Sequence, residues 1–304
     1  MKILITGGAG FIGANLALEL QGKFPSAYIT ILDNLSSGTA ENLKGFEGNL
    51  VKGKLEDDNL IDSLMNEKFE SVYHLAAITD TTVVDRERMM EVNVEGFRKI
   101  LKIAEYGNAP VVYASSAGVY GNDAPPLKET QELHPLNAYA LSKAEMEKTA
   151  LSYTGAGVIG LRYFNVYGPK ESNKGKFASM IWQLACKMKE GETPRIFKHG
   201  EQTRDFIYVK DVVSATIRAM EVLKKNKLNT VLNIGTGTAT SFNRIINILN
   251  DTLGTNLKPD YFDNPYDFYQ NHTLADTALA AKTIGFKAQY SIEDGIKDYL
   301  KENV

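Results

Sequence analysis

The sequence is poor in several residue types, and each scarcity excludes something. Cys186 is the one cysteine among 304 residues, so no disulfide can form within the chain and a reducing, cytoplasmic setting is expected. The histidines, His74, His134, His199 and His272, are scattered without ligand spacing, so no protein-built metal site is expected. No apolar run approaches the ~18 residues of a membrane helix, which argues against a membrane partner. The first apolar stretch is cut short by glycines at Gly7-Gly8, unlike the longer apolar region of a secretory signal. Excess positive charge is also missing. With 34 Lys+Arg against 37 Asp+Glu the net charge is −3, which disfavours a nucleic-acid partner.

What is present is an ordinary globular composition, 43% apolar and 23% charged, long enough to bury a full core without staples. Short Val/Ile/Leu-rich runs at 2–6, 28–33, 49–53, 71–76, 110–116 and 158–164 alternate with helical patterns such as 89–106 and 137–152. Near-continuous apolar strands are those covered on both faces. The β-α-β-α rhythm therefore predicts an α/β fold, a doubly wound parallel sheet with right-handed crossovers. After Asn165 the rhythm changes to a polar loop at 168–175, a helix at 177–190 and short strands over 194–208. Further helices are expected from the N-cap residues Asp211, Ser241 and Ser291.

The first strand runs straight into Gly7-Gly8-Ala9-Gly10-Phe11-Ile12-Gly13 and a helical pattern. Glycines at 7, 10 and 13 suit a tight turn, close approach of backbone to a pyrophosphate and close helix–strand packing. The helix N-terminus offers N–H groups and a positive dipole end to phosphate. An acid, Asp33, ends the next strand 20 residues after Gly13. Its carboxylate can accept bonds from adenosine ribose hydroxyls and would repel a 2′-phosphate, and Asn34-Leu35-Ser36-Ser37-Gly38 carries no cation to hold one. The residues themselves thus favour NAD over NADP, with Lys44, Lys52 and Lys54 the nearest cations that could reverse this. Residues 1–165 read as a Rossmann dinucleotide-binding domain. Residues 166–304 read as a smaller, mainly substrate-binding α/β part, with a strand at 230–235 returning to the first sheet.

Tyr139 and Lys143 stand four apart in a helical pattern, on one face. A cation beside a phenol lowers its pKa and makes it a usable general base. The strand 111–116 ends in Ser115-Ser116, two hydroxyls at the sheet edge where open α/β sheets bind ligands.

These stretches, with His74-Leu75-Ala76-Ala77, Asn93 and Arg204-Asp205-Phe206-Ile207-Tyr208-Val209-Lys210-Asp211-Val212, resemble the extended short-chain dehydrogenase/reductase family of nucleotide-sugar epimerases and dehydratases. Within it, Gly160 to Glu171, Lys174, Ala178-Ser179-Met180, Asn264-Pro265-Tyr266 and Phe268-Tyr269-Gln270 resemble the ADP-glycero-manno-heptose 6-epimerases. The resemblance implies transient oxidation of C6″ to a ketone, with the same hydride returned to the opposite face of the carbon. Tyr139 and Lys174 would be the two acid/base groups, Lys143 would hold the nicotinamide ribose, and Ser115 and Ser116 would place the reacting hydroxyl. Gly7, Gly10, Phe11, Ile12, Gly13, Asp33, Asn34, Leu75, Ala76, Ala77, Asn93, Tyr139, Lys143 and Val166 would line the cofactor. Ser116, Asn165, Lys176, Gln183, Phe197, Arg204 and Tyr269 would line the sugar nucleotide, with Arg204 suited to a diphosphate.

The narrower resemblance implies NADP, against the NAD favoured by Asp33. Lys54 stands where relatives commonly carry an Asp, and Lys176 and Gln183 where some heptose epimerases have Ser and His. A UDP-sugar 4-epimerase would use the same Ser, Tyr and Lys. A dehydratase would need a carboxylate just after Ser115-Ser116, where this chain has Ala117-Gly118-Val119. A non-catalytic dinucleotide scaffold would be free to lose Tyr139 or Lys143. The resemblance also implies a homo-oligomer, either a dimer through helices 89–106 and 137–152 or a larger ring.

Overall fold

The computed structural model describes residues 1–264 and 270–303. The chain begins β1 (Lys2–Thr6), α1 (Phe11–Lys23), β2 (Tyr28–Asp33), β3 (Asn49–Lys52), α2 (Asp58–Asn66) and β4 (Ser71–His74). Next come α3 (Arg86–Met90), α4 (Gly96–Gly107), β5 (Val111–Ser116), α5 (Ala138–Leu151) and β6 (Val158–Tyr163). There follow β7 (Asn165–Tyr167), α6 (Met180–Lys189), β8 (Arg195–Phe197), β9 (Thr203–Arg204), β10 (Phe206–Tyr208), α7 (Val209–Leu223) and β11 (Asn229–Ile234). The last elements are β12 (Thr240–Ser241), α8 (Phe242–Leu253), β13 (Asp260–Phe262), α9 (Ala278–Ile284) and α10 (Ile292–Asn303).

Seven strands form one parallel sheet in the order β11-β6-β5-β4-β1-β2-β3. Alternation along each strand feeds two cores. Ile3, Ile5, Ile31, Val112 and Ile159 pack on one face with α1 and α7. Leu4, Leu32, Tyr113 and Val158 pack on the other with Phe97 and Ile100 of α4 and Met146 of α5. The first core continues through Leu184 of α6, Ile245 of α8 and Ile296 of α10, so the C-terminal elements share apolar burial with the sheet. The small pairs β7–β10, β9–β12 and β8–β13 lie in this later part.

Local chemistry sets the helix starts. Asn137 Oδ1 accepts from the Ala140 N–H at 2.8 Å, Ser241 Oγ from Arg244 at 3.2 Å and Ser291 Oγ from Asp294 at 3.1 Å. Each such cap contributes about 1 kcal/mol. Asp211 does not start its helix: α7 begins at Val209 and Asp211 lies in its first turn. Its carboxylate is turned to the backbone N–H groups of Gln289 and Tyr290, at 3.0 and 3.1 Å, tying α7 to the segment before α10. The helix expected over 177–190 starts only at Met180, because Ser179 Oγ caps Trp182. The long helix expected over 89–106 is interrupted by a π-helical turn at Glu91–Glu95.

A buried polar network crosses the layers behind β5. Arg162 of β6 makes a two-pronged pair with Glu147 of α5, Nε to Oε1 at 2.9 Å and Nη2 to Oε2 at 2.6 Å. Arg162 Nη1 also donates to the Tyr120 hydroxyl at 2.7 Å, which donates to Asn233 Oδ1 of β11 at 2.6 Å. Removing one member of a buried pair strands the other charge, at a typical cost of about 3–5 kcal/mol. Arg162→Met should therefore destabilise the protein by that order in urea denaturation. The double variant Glu147→Gln/Arg162→Met should recover part of the loss, and a double variant no more stable than the single one would contradict the coupling.

Candidate active site

The turn after β1 is built for close backbone approach. Gly7 has φ +70°, and a Cβ there would sit 2.6 Å from the Ala76 nitrogen. A Cβ at Gly13 would sit 2.1 Å from the Gly7 carbonyl oxygen, whereas at Gly10 its one near neighbour among the described residues would be that same oxygen, at 3.2 Å. Gly10 therefore leaves the start of α1 open, and no side chain caps that helix, unlike α5, α6 and α8. An uncapped helix N-terminus facing open space fits a pyrophosphate. Asp33 is buried, with Oδ2 accepting from Ala9 N–H at 2.9 Å and Oδ1 from Leu35 N–H at 2.8 Å. Its oxygens keep lone pairs for ribose hydroxyls, so the residues present fit a dinucleotide.

Leu75, Ala76 and Ala77 follow the end of β4, beside this turn. Leu75 N–H donates to Thr6 O at 3.0 Å and Ala76 N–H to Thr6 Oγ1 at 3.3 Å. Asn93 is fully buried, in the π-helical turn. Its Oδ1 accepts from Ile78 N–H at 2.8 Å and its Nδ2 donates to Ser142 Oγ at 2.9 Å. That amide links the loop after β4 to α5.

Tyr139 and Lys143 share the α5 face that meets β5. Lys143, 2% exposed, donates from Nζ to the Ala114 carbonyl at 2.8 Å, and Nζ lies 5.7 Å from the centre of the Tyr139 ring. The expected lowering of the phenol pKa by Lys143 is not found. Burial pushes Tyr139 up, and a hydrogen bond with Ser116 pulls it back in part. The reason is geometric: the ammonium is turned to a carbonyl, and burial pushes Lys143 itself down to about 7 despite the opposing charge of Glu147. His74, stacked on Phe97, is held neutral, pushed down to about 3 by burial and then by Lys143.

The two serines part company. Ser116 faces Tyr139, whereas Ser115 is buried and donates to Glu147 Oε1 at 2.5 Å. Successive side chains of a strand point to opposite faces, so one hydroxyl of the pair meets the phenol and the other braces the Glu147–Arg162 network. The expectation that both would place a substrate hydroxyl is corrected on this point.

Lys174 sits in a turn between β7 and α6, with its Nζ 5.7 Å from the centre of the Phe11 ring in the first turn of α1. Burial pushes this half-buried ammonium down and Glu171 opposes the shift. Two asparagines dock the segment on the dinucleotide end. Asn15 Nδ2 donates to Pro169 O at 2.9 Å, and Asn173 Nδ2 donates to Thr39 Oγ1 at 3.0 Å and Asn42 Oδ1 at 3.2 Å.

The remaining expected residues are dispersed around the later part. Asn165 is exposed and Val166 half-buried on β7, beside β10. Arg204 is buried on β9, where Nη1 donates to the carbonyls of Thr203 and Asn271 at 2.9 and 3.2 Å. Phe197 packs edge-on against Phe262. Lys176 is exposed, its Nζ 4.9 Å from the Phe177 ring centre, and Gln183 Nε2 donates to Ala178 O at 2.7 Å, bracing the loop backbone. Tyr269 lies outside the described residues.

The sequence reading missed Glu147, Asn15, Asn173, Glu171 and Asp205. Glu147 had a signal, since it continues the Tyr139–Lys143 spacing by another four residues. Asp205, adjacent to Arg204, is buried and accepts from Thr236 N–H at 2.7 Å, Gly237 N–H at 2.9 Å and Ala275 N–H at 3.1 Å. It knots three segments together beside the guanidinium.

Comparison with known proteins agrees with this geometry. The sequence model of the NAD dependent epimerase/dehydratase family matches residues 3–235. The fold is similar to the Helicobacter pylori ADP-L-glycero-D-manno-heptose-6-epimerase, with 39% identity, a TM-score of 0.93 and coverage of 99% of this chain and 95% of that one. It is also similar to the Thermotoga maritima UDP-glucose 4-epimerase, with 31% identity, a TM-score of 0.90 and 99% of both chains covered. A third similar structure is the Methanobrevibacter ruminantium UDP-N-acetylglucosamine 4-epimerase, with 32% identity, a TM-score of 0.88 and coverage of 99% and 97%.

The depressed Lys143 carries a stability signature. Between about 7, its folded value, and the ordinary 10.5, the unfolded chain binds a proton that the folded chain has lost. Stability from this group therefore rises with pH across that window and is lowest below it, by an amount on the order of a few kcal/mol. In the cofactor-free protein, wild type should gain stability relative to Lys143→Met between about pH 7 and pH 10 in urea denaturation. A difference that stays constant with pH would show that Lys143 keeps its proton throughout.

Proposed function

Because the chain belongs to the NAD-dependent epimerase/dehydratase family and its cofactor is NAD, we propose that it is a nucleotide-sugar epimerase inverting C6″ of an ADP-glycero-manno-heptose. The observation that carries the reading is the seat of Lys174: a second ionisable group reaches the dinucleotide turn from an element other than α5. Similarity to the Helicobacter heptose epimerase along nearly the whole chain supports it. In this reading residues 1–165 together with β11 hold the cofactor and the rest mainly holds the sugar nucleotide. The enzyme works in the cytoplasm as a homo-oligomer, and exposed Tyr106 of α4 and Leu151 of α5 supply apolar surface for a partner copy.

NAD, when bound, supplies the hydride acceptor and donor. The backbone of Gly7 to Gly13 and the N-terminus of α1 take the pyrophosphate, and Asp33 takes the adenosine ribose and disfavours a 2′-phosphate. Loop 75–77, braced by Asn93, and Val166 border the nicotinamide end, where Lys143 holds its ribose. Ser116 would place the reacting hydroxyl, and Tyr139 would take its proton in the phenolate form, which burial disfavours in the free protein and the positive charge of bound oxidised NAD would favour. Lys174 would handle the proton for the opposite orientation of the sugar, as inversion requires. Arg204 meets the diphosphate, while Asn165, Phe197, Lys176 and Gln183 border the sugar. Ser115 acts only through Glu147.

UDP-sugar 4-epimerisation is the second reading, favoured by 31–32% identity to two such enzymes. It needs Ser116, Tyr139 and Lys143 but not Lys174. Tyr139→Phe should fold normally and lose turnover by about 10²–10⁴-fold, as general acid–base groups do. Retention of most of the wild-type kcat would remove Tyr139 from the reaction. Lys174→Met should abolish net inversion of ADP-heptose while single-turnover cofactor reduction survives with one C6″ epimer. An unchanged kcat with a raised KM would make Lys174 a binding residue and favour 4-epimerisation.

A further inference from the structure

The segment between β7 and α6 is polar and mostly exposed, with Ser172, Asn173, Gly175, Lys176 and Phe177 all facing solvent. Within it Glu171 is 0% exposed. Glutamate is rarely buried so completely unless its charge is compensated, and among the described residues no cation lies within ion-pair distance of this one. It is compensated instead by donors from three elements. Oε1 accepts from Gly168 N–H at 2.9 Å and from Ser179 Oγ at 2.9 Å, and Oε2 accepts from Ser179 N–H at 2.5 Å. The Tyr299 hydroxyl of α10 donates to it as well.

Every one of these partners is a donor. Ser179 Oγ already accepts from Trp182 N–H as the cap of α6, so its own proton is free to point at Glu171. A carboxylate, which only accepts, satisfies the whole set; the –NH₂ of a glutamine would face a donor. Gly168 and Ser179 are the two ends of the loop, so one side chain closes it. The main chain of Glu171 adds the next link, its carbonyl accepting from Lys174 N–H at 2.9 Å. The loop's outer face is docked by Asn173 on Thr39 and Asn42.

We propose that Glu171 is the positioning residue for Lys174: its buried carboxylate closes loop 168–179 and so aims the Lys174 ammonium at the dinucleotide turn. This rests on the reading of Lys174 as the second acid/base group. Glu171 acts on Lys174 from behind the loop, chiefly by closing it and secondarily by the negative charge that opposes the loss of the Lys174 proton.

The test uses the NAD-loaded enzyme and each C6″ epimer of ADP-glycero-manno-heptose. In Glu171→Gln, kcat for inversion should fall by about 10–100-fold, the range seen when supporting partners of a functional group are lost. KM should change little, and single-turnover cofactor reduction with the epimer served by Tyr139 should persist. Equal loss of reduction with both epimers would make Glu171 a general structural residue and overturn the proposal, as would unchanged inversion. Should Glu171→Gln fail to fold, Tyr299→Phe removes one donor only. It should lower inversion several-fold with the same one-sided pattern, and a Tyr299→Phe enzyme with wild-type inversion would overturn the proposal. Lys174→Met separates the two claims. If it loses inversion while Glu171→Gln does not, only the positioning role fails; if it inverts normally, the two-group reading fails and the inference with it.

Discussion

The structure depends most on one buried ion pair. Glu147 and Arg162 lock α5 to β6, and through Ser115, Tyr120 and Asn233 they extend the lock to β5 and β11. Glu147 lies one helical turn beyond Lys143 and two beyond Tyr139, so the contact that fixes the helix also fixes the height at which the phenol meets the sheet edge. A hydrophobic replacement could serve the core equally well. What the charged pair adds is direction: a two-pronged guanidinium–carboxylate contact admits one rotation of α5, and that rotation presents Tyr139 to Ser116.

In the proposed reaction a second constraint would bring the chemistry to both faces of one carbon. Tyr139 arrives on a rigid helix packed on the sheet, and Lys174 arrives on a loop that has little apolar burial of its own. Such loops are normally mobile. This one is closed on itself by Glu171, which bonds Gly168 and Ser179, and is docked at Pro169 by Asn15 of α1 and at its crest by Asn173 on Thr39 and Asn42. The two proposed acid/base groups are thereby held on one sheet, Tyr139 through α5 on β5 and Lys174 through the turn that follows β1.

Much of this was legible in the sequence because it follows from local rules. The glycine turn needs only its spacing and its place between strand and helix, and the Ser241 and Ser291 caps need only their neighbours. The parallel sheet follows from uninterrupted apolar strands, and Tyr139 and Lys143 declare themselves by their spacing. Other features depend on partners distant in the chain. Asp211 has the composition of a cap, yet Gln289 and Tyr290 claim its carboxylate. Alternation says that Ser115 and Ser116 face opposite ways, but only the position of α5 decides which one meets Tyr139. Lys143 was expected to lower the phenol pKa, and its ammonium instead bonds a carbonyl of the neighbouring strand. In the sequence Glu171 is one charge within a polar loop, and nothing local reveals that Ser179 and Tyr299 converge on it.

The central claim is that C6″ is oxidised and then re-reduced by the same hydride from the other face. The most direct measurement is NMR of the product formed from ADP-glycero-manno-heptose carrying deuterium at C6″, incubated with the NAD-loaded protein without added oxidant. The account predicts an inverted C6″ with the deuterium still attached. Loss of the label to solvent, or recovery of the starting epimer alone, would contradict it.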